Sequence, residues 1–189
     1  MTDIIQIDDV YYVRATSSMA DGRTNVLKHG ETFAVFDRNG DIQPAGMPES
    51  GIFHDGTRFL SSLTLGIDNQ RLLPLNSAVE AHNFLLNVDL TNAEIVRDGQ
   101  IAIPQETLHV HRCTFLWRGA CYERITLTNY GNGPCDFTCD LAFDADFADI
   151  FEVRGTLRSR RGLILPPEIG ADRVRLSYQG LDDLERHTT

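Results

Sequence analysis

The sequence predicts an all-β fold: an antiparallel β-sandwich with few or no helices. Three observations carry that expectation. Apolar and polar residues alternate with period two in run after run, turn residues separate the runs at short intervals, and no window holds an apolar stripe at helical spacing between helix caps. With 189 residues, 42% of them hydrophobic and 23% charged, the chain can bury a core of its own and lies far from the composition of disordered segments. Residues 1–189 are read as one domain.

The first clear turn is Asp37-Arg38-Asn39-Gly40-Asp41, whose Asn-Gly pair suits the positive φ values of a tight hairpin. A run then places Phe59, Ser61, Leu63, Leu65 and Ile67 on one face and Arg58, Ser62 and Thr64 on the other, and Asp68–Arg71 turns it back. Next, Phe84, Leu86, Val88 and Leu90 oppose Asn87, Asp89 and Thr91. Asp98-Gly99 punctuates, and Arg118-Gly119 separates the Phe115–Trp117 run from the Cys121–Leu127 run. After the loop Asn129–Pro134, Phe137, Cys139, Leu141 and Phe143 alternate with Asp136, Thr138 and Asp140. Arg161-Gly162 punctuates again, and Val174, Leu176 and Tyr178 close the series. Polar-out, apolar-in alternation of this kind belongs to half-buried antiparallel strands, about ten to twelve of them here. The inward set includes Phe59, Leu63, Leu65, Leu86, Val88, Ile125, Leu127, Phe137, Leu141, Leu176 and Tyr178. Short helical turns fit only near Pro48–Gly51 and Ala145–Ile150.

The formal net charge of −10 argues against a polyanionic partner, because nucleic acid would need a strong local basic patch. Arg154, Arg158, Arg160 and Arg161 are the one basic cluster, and Asp146, Asp149 and Glu152 lead directly into it. No stretch approaches the roughly 20 apolar residues of a membrane helix. The opening MTDIIQIDDVYY lacks a basic n-region, and no Asn-x-Ser/Thr sequon occurs, so the cytoplasm is the expected location. Cys113, Cys121, Cys135 and Cys139 fit no zinc spacing and read as buried reduced thiols, with Cys135 and Cys139 on one strand face.

Two segments are candidate sites. In Gly51–Leu60, His54, Asp55 and Arg58 crowd a strand start. An Asp55–Arg58 pair clamping a loop is the leading reading, ahead of a sugar-contacting or domain-docking role. Catalysis comes last, since no nucleophile accompanies the His-Asp pair. In Asp144–Glu152, the acids Asp144, Asp146, Asp149 and Glu152 stand among Phe147, Ile150 and Phe151. Asp144 and Asp146 point to one side if the strand continues. Loop capping leads here, then an interface, then contact with a ligand or cation. Asp37-x-Asn39-x-Asp41 fails as a calcium loop, because Ile42 and Pro48 occupy the positions that require Gly and Glu. His109 and His111 share a strand face without an evident third ligand. No metal, cofactor or catalytic residue is assigned.

The segments YYVRATSSMADGRTNVLKHGETFAVFDRNGDIQP, GIFHDGTRFLSSLTL and FDADFADIFEVRG, in this order, resemble the N-terminal domain of bacterial and archaeal glycogen-debranching-type proteins, the amylo-alpha-1,6-glucosidase family. The similarity runs from about Tyr11 to about Leu181. It implies a supersandwich-like β domain placed before an (α/α)₆ helical barrel that carries the glycosidase acid and base. That barrel has no counterpart in 189 residues, so no catalytic residue carries over. The resemblance therefore implies a domain inactive alone, partnered by the barrel of the same polypeptide and near an α-glucan. His54–Arg58 and Asp144–Glu152 are then the best candidates for the shared surface. The alternative is an autonomous carbohydrate-binding module, and a row of exposed aromatic residues on one sheet face would favour it.

Overall fold

The computed structural model describes residues 24–43 and 47–189, together with the backbone of two short strands nearer the N-terminus. Those two, β1 (Ile4–Ile7) and β2 (Val10–Val13), form an antiparallel hairpin. β3 (Asn25–His29), β4 (Thr32–Phe36), β5 (Gly51–His54) and β6 (Thr57–Leu60) make a four-stranded sheet in that order. β7 (Ser62–Ile67) and β8 (Gln70–Arg71) form the next hairpin. β9 (Leu73–Val79), a short 3₁₀ turn (Ala81–Asn83) and β10 (Leu85–Thr91) follow, then the small hairpin of β11 (Ile95–Arg97) and β12 (Gln100–Ile103). The long hairpin of β13 (Leu108–Trp117) and β14 (Ala120–Asn129) completes a second four-stranded sheet, ordered β14-β13-β10-β9. β15 (Cys139–Asp144) returns to pair with β7. After α1 (Ile150–Val153), β18 (Val174–Gln179) gathers β16 (Leu163–Ile164), β17 (Glu168–Ile169) and β19 (Glu185–Thr188) around it.

Among the described residues every strand pairing is antiparallel and α1 is a single helical turn, so the all-β expectation holds. The pairings among the described residues fall into six small sheets rather than two continuous ones. Four hairpin turns have positive φ at both central residues: Asp55-Gly56, Asp68-Asn69, Asp98-Gly99 and Arg118-Gly119. That is the tight turn whose twist matches the flanking strands. The Asn39-Gly40 turn behaves differently. Asp37 N–H donates to the Asp41 carbonyl at 2.8 Å, but Ile42 then bridges to Leu63 instead of pairing with β4. It joins two sheets and is no simple hairpin. The expected helical turn near Ala145–Ile150 starts later, at Ile150.

The main core lies between Leu27, Ala34 and Phe36 of the first sheet and Leu86, Val88, Leu90, Val110 and Leu116 of the second, with Leu65 and Ile67 of β7 closing one side. Alternation along β10 and β13 produces this, since each alternate residue faces inward. A smaller cluster joins Ala145, Phe147 and Tyr178 to Phe59 and Leu176. Of the inward set, Leu65, Leu86, Val88 and Tyr178 are buried, and Phe59, Leu63, Ile125, Phe137 and Leu176 are partly buried. Leu127 and Leu141 are instead exposed, Leu141 by 48%. Both sit on edge strands, β14 and β15, where the period-two pattern continues but no described layer covers the apolar face. The cysteines are free, and Cys121 and Cys139 are exposed rather than buried. Cys135 precedes β15 and shares no strand with Cys139.

One inward position of β13 holds a cation. Arg112 is fully buried. Its Nη1 donates to the Asn39 carbonyl at 2.8 Å and to Asp41 Oδ1 at 2.6 Å, and its Nε donates to Glu123 Oε1 at 2.7 Å. Burial alone would lower the guanidinium pKa, but the charges and hydrogen bonds of Glu123 and Asp41 outweigh it and hold Arg112 above its ordinary value. Gly40 beside it adopts φ 74°, which favours glycine; a Cβ there would only touch the guanidinium carbon, at 3.4 Å.

Candidate functional site

The two candidate segments meet in space through a bond that neither shows alone. Arg58, on β6, donates Nε to Asp146 Oδ1 at 3.0 Å and Nη2 to Asp146 Oδ2 at 2.5 Å. Its Nη1 donates to the carbonyls of Pro48, at 2.8 Å, and Ser50, at 3.1 Å. The fork geometry of arginine thus ties the β6 strand, the loop before β5 and the segment after β15 into one junction. Gly51 is shaped for it, because at φ 151° a Cβ would come within 2.5 Å of the Arg58 Cδ. Arg58 N–H also donates to the Ala148 carbonyl at 2.8 Å, so backbone and side chain dock the same segment.

The expected Asp55–Arg58 pair is therefore corrected: the partner is Asp146. Asp55 occupies the first position of the β5–β6 turn. A turn residue there points outward, and its carboxylate lies 3.5 Å from His54 Nε2 with both side chains largely exposed. His54 Nδ1 lies 2.8 Å from Thr32 Oγ1.

The remaining acids are also engaged locally. β15 ends at Asp144, so Asp144 and Asp146 do not continue along one strand face. The Asp144 carboxylate accepts from Ala145 N–H at 2.8 Å. Asp149 caps α1, accepting from Phe151 N–H at 2.9 Å, while Glu152 accepts from Asp149 N–H at 3.2 Å. This reciprocal capping box explains the acidic spacing. Arg158 approaches Asp149 at 3.2 Å and Glu152 at 3.5 Å, and Arg161 approaches Glu152 at 3.2 Å. Two of the four clustered arginines thus bind their own acids.

A cavity of about 580 Å³ opens beside this junction, lined by His54, Phe59, Leu63, Glu123, Leu141 and Phe143 among others. Its walls come from four sheets and are mostly apolar. Cys121 borders it too.

His109 and His111 do find a third group, which their spacing in sequence could not reveal. Asp89 on β10 is the direct cross-strand partner of His111. Its Oδ1 lies 3.1 Å from His109 Nε2 and 3.0 Å from His111 Nδ1. Both rings turn to one carboxylate oxygen, and among the described residues no group of three His, Cys, Asp or Glu is disposed to hold a metal. Burial pushes the Asp89 carboxyl up, but the hydrogen bonds and charges of His111 and His109 outweigh it and hold it below its usual range. A carboxyl lowered on folding stabilises the fold above its unfolded pKa, and that contribution is lost as pH falls through the folded value. Asp89→Asn is accordingly expected to destabilise by on the order of 1 kcal/mol at neutral pH, with the difference closing as pH falls below the ordinary carboxylate range. Urea midpoints of the two proteins across that range check it. A constant gap would show that the charge is not the cause.

These contacts define an antiparallel β domain whose acidic segment is committed to bracing a sheet junction and capping a helix. A family model described as the N-terminal domain of (some) glycogen debranching enzymes matches residues 27–189, and the chain belongs to that family. No curated protein and no solved structure matches it.

Proposed function

We propose that the chain is the non-catalytic N-terminal domain of a cytoplasmic glycogen debranching protein of the amylo-alpha-1,6-glucosidase type. Residues 1–189 pack on a catalytic helical barrel of the same polypeptide and shape the approach of the branched α-glucan. Two of the three four-stranded sheets, β3-β4-β5-β6 and β14-β13-β10-β9, serve as the layers of the sandwich. His54, Asp55, Arg58, Asp144, Asp146, Asp149 and Glu152 belong to the surface shared with the barrel and are not a catalytic set.

The observation that carries this reading is the company the braced junction keeps. Phe151, Leu157, Leu163 and Ile164 are large apolar side chains left exposed along the same stretch of chain, Leu157 by 96%. Bare apolar groups following an internally neutralised cluster along the chain suit a contact with another domain. The pairing of Arg158 and Arg161 with Asp149 and Glu152 supports the absence of a nucleic-acid partner. Among the described residues no helix is long and apolar enough to cross a membrane.

Glycoside hydrolysis needs two carboxyl groups facing each other across the bond, about 5–5.5 Å apart for retention or about 6.5–9.5 Å for inversion, one of them kept protonated. Burial pushes Asp41 up against the opposing pull of Arg112, as such an acid requires, but Asp41 is sealed in the core at 1% exposure. The purified 189-residue chain is therefore expected to release neither glucose nor linear chains from a branched α-glucan, and the same domain joined to its barrel is expected to do so. Turnover by the chain alone, abolished by Asp146→Asn or Asp149→Asn, would overturn the reading.

A further inference from the structure

The solvent side of the β14-β13-β10-β9 sheet carries a feature that the accessory role does not use. Alternation leaves Asn87 and Asp89 of β10, His109, His111, Cys113 and Phe115 of β13, and Tyr122 of β14 on the face away from the core. At one end three rings stand in a row. Phe115 stacks on Tyr122 at 5.0 Å and 12°, and on Phe84 at 6.3 Å and 27°. Phe115 is the middle member, so one face of Phe84 and one face of Tyr122 remain free, and both residues are 47% exposed. At the other end Tyr130, highly exposed, leans on the His109 ring at 6.2 Å. From Phe115 to His109 is six residues of β13, a span of roughly 20 Å. Between the aromatic ends lie the Asp89–His109–His111 group and Asn87, whose Nδ2 donates to Glu80 Oε1 at 3.0 Å.

We propose that this face binds a neutral polysaccharide chain, with a sugar ring stacking on the bare outer face of Tyr122 or of Phe84 and hydroxyls donating to Asp89 and Glu80. Flat rings with bare faces need a partner that has an apolar face of its own. Carboxylates beside them suit a hydroxyl donor, and the net charge of −10 repels polyanions that would otherwise stack on aromatics. The face is open, which suits an extended polymer over a small ligand needing an enclosing pocket. A protein partner fits less well, because it would seal Asp89 away from water, whereas a sugar chain stays hydrated. Trp117, the single tryptophan, is not part of the platform. The His29 ring lies 4.7 Å from it and the Arg118 guanidinium 5.6 Å. That the polymer is a branched α-glucan rests on the family reading above.

The test is native electrophoresis of the 189-residue chain in gels cast with glycogen, with dextran as control. Retardation by glycogen is expected, weakened about two- to tenfold by Phe84→Ala or Tyr122→Ala, as loss of one stacking face implies, and left unchanged by Phe151→Ala on α1. In parallel, maltoheptaose titrated into the unmodified chain should shift aromatic proton resonances of Phe84 or Tyr122 and leave those of Phe151 in place, which needs no variant to fold. An unretarded chain, shifts confined elsewhere, or full affinity in both Phe84→Ala and Tyr122→Ala overturns the proposal and leaves the ring stack as a protein contact. None of these outcomes bears on hydrolysis, so failure here and failure of the accessory role are distinguishable.

Discussion

Arg112→Ala is expected to destabilise the domain by about 3–5 kcal/mol, the range for breaking a buried ion pair by removing one partner. Arg112 is the largest fully buried side chain and the sole link between Asp41, Asn39 and Glu123 among the described contacts. Without it Asp41, at 1% exposure, keeps only the Leu65 N–H at 3.3 Å and the more distant Arg71 as donors to its carboxylate, apart from a marginal one from Gln43. The Asn39 carbonyl loses a donor as well. The pair is less decisive than the penalty for halving it, since well-packed apolar replacements of whole buried ion pairs are often neutral. Arg112→Met together with Asp41→Asn is therefore expected to recover part of the loss, and Arg112→Met alone to recover little. Urea midpoints at unchanged slope provide the measurement. A loss below about 1 kcal/mol for Arg112→Ala would mean that water reaches the cluster.

Much of this architecture is legible in the sequence because strand alternation and turn chemistry are local. The Asp68-Asn69 and Arg118-Gly119 turns fall where the residues place them, and Leu86, Val88 and Leu65 face the core as their period requires. The same pattern misplaces Leu127 and Leu141, because alternation fixes which face a side chain takes but not whether another layer covers that face. Asp55-Gly56 was readable as well. An Asp-Gly pair between two short strand runs is among the strongest hairpin signals, and it places Asp55 at a turn tip rather than opposite Arg58. What the sequence conceals is long-range pairing. Asp146 lies 88 residues from Arg58 and Asp41 lies 71 from Arg112. Nothing in composition or spacing selects one acid among 27 as the partner of a given arginine. The Asp89–His111 contact is hidden for the same reason, since it depends on the register between β10 and β13. The stacked rings of Phe84, Phe115 and Tyr122 follow from that register too, so an exposed platform and a core of aromatics read alike until the strands are paired.

Arg58→Ala is expected to cost about 2–4 kcal/mol, because it strips donors from the Pro48 and Ser50 carbonyls and from Asp146 at a nearly buried site. Arg58→Lys is expected to lose most of the same amount. A single ammonium cannot serve a bidentate carboxylate and two carbonyls on different sides. The position of Gly51 gives an independent handle on the same junction. Gly51→Ala forces a Cβ against the Arg58 stem and leaves 2.9 Å to the Leu60 carbonyl, so it should destabilise the unmodified chain by a comparable amount. If the clash with Arg58 is the main cause, Gly51→Ala should cost clearly less in the Arg58→Ala background, since the stem it meets has gone and only the Leu60 contact and the unfavourable φ remain. Thermal unfolding of the four proteins in this cycle measures the coupling. Additive losses would show that Arg58 and Gly51 act separately, and an unchanged Arg58→Lys midpoint would show that the fork is not what holds β6 to the segment after β15.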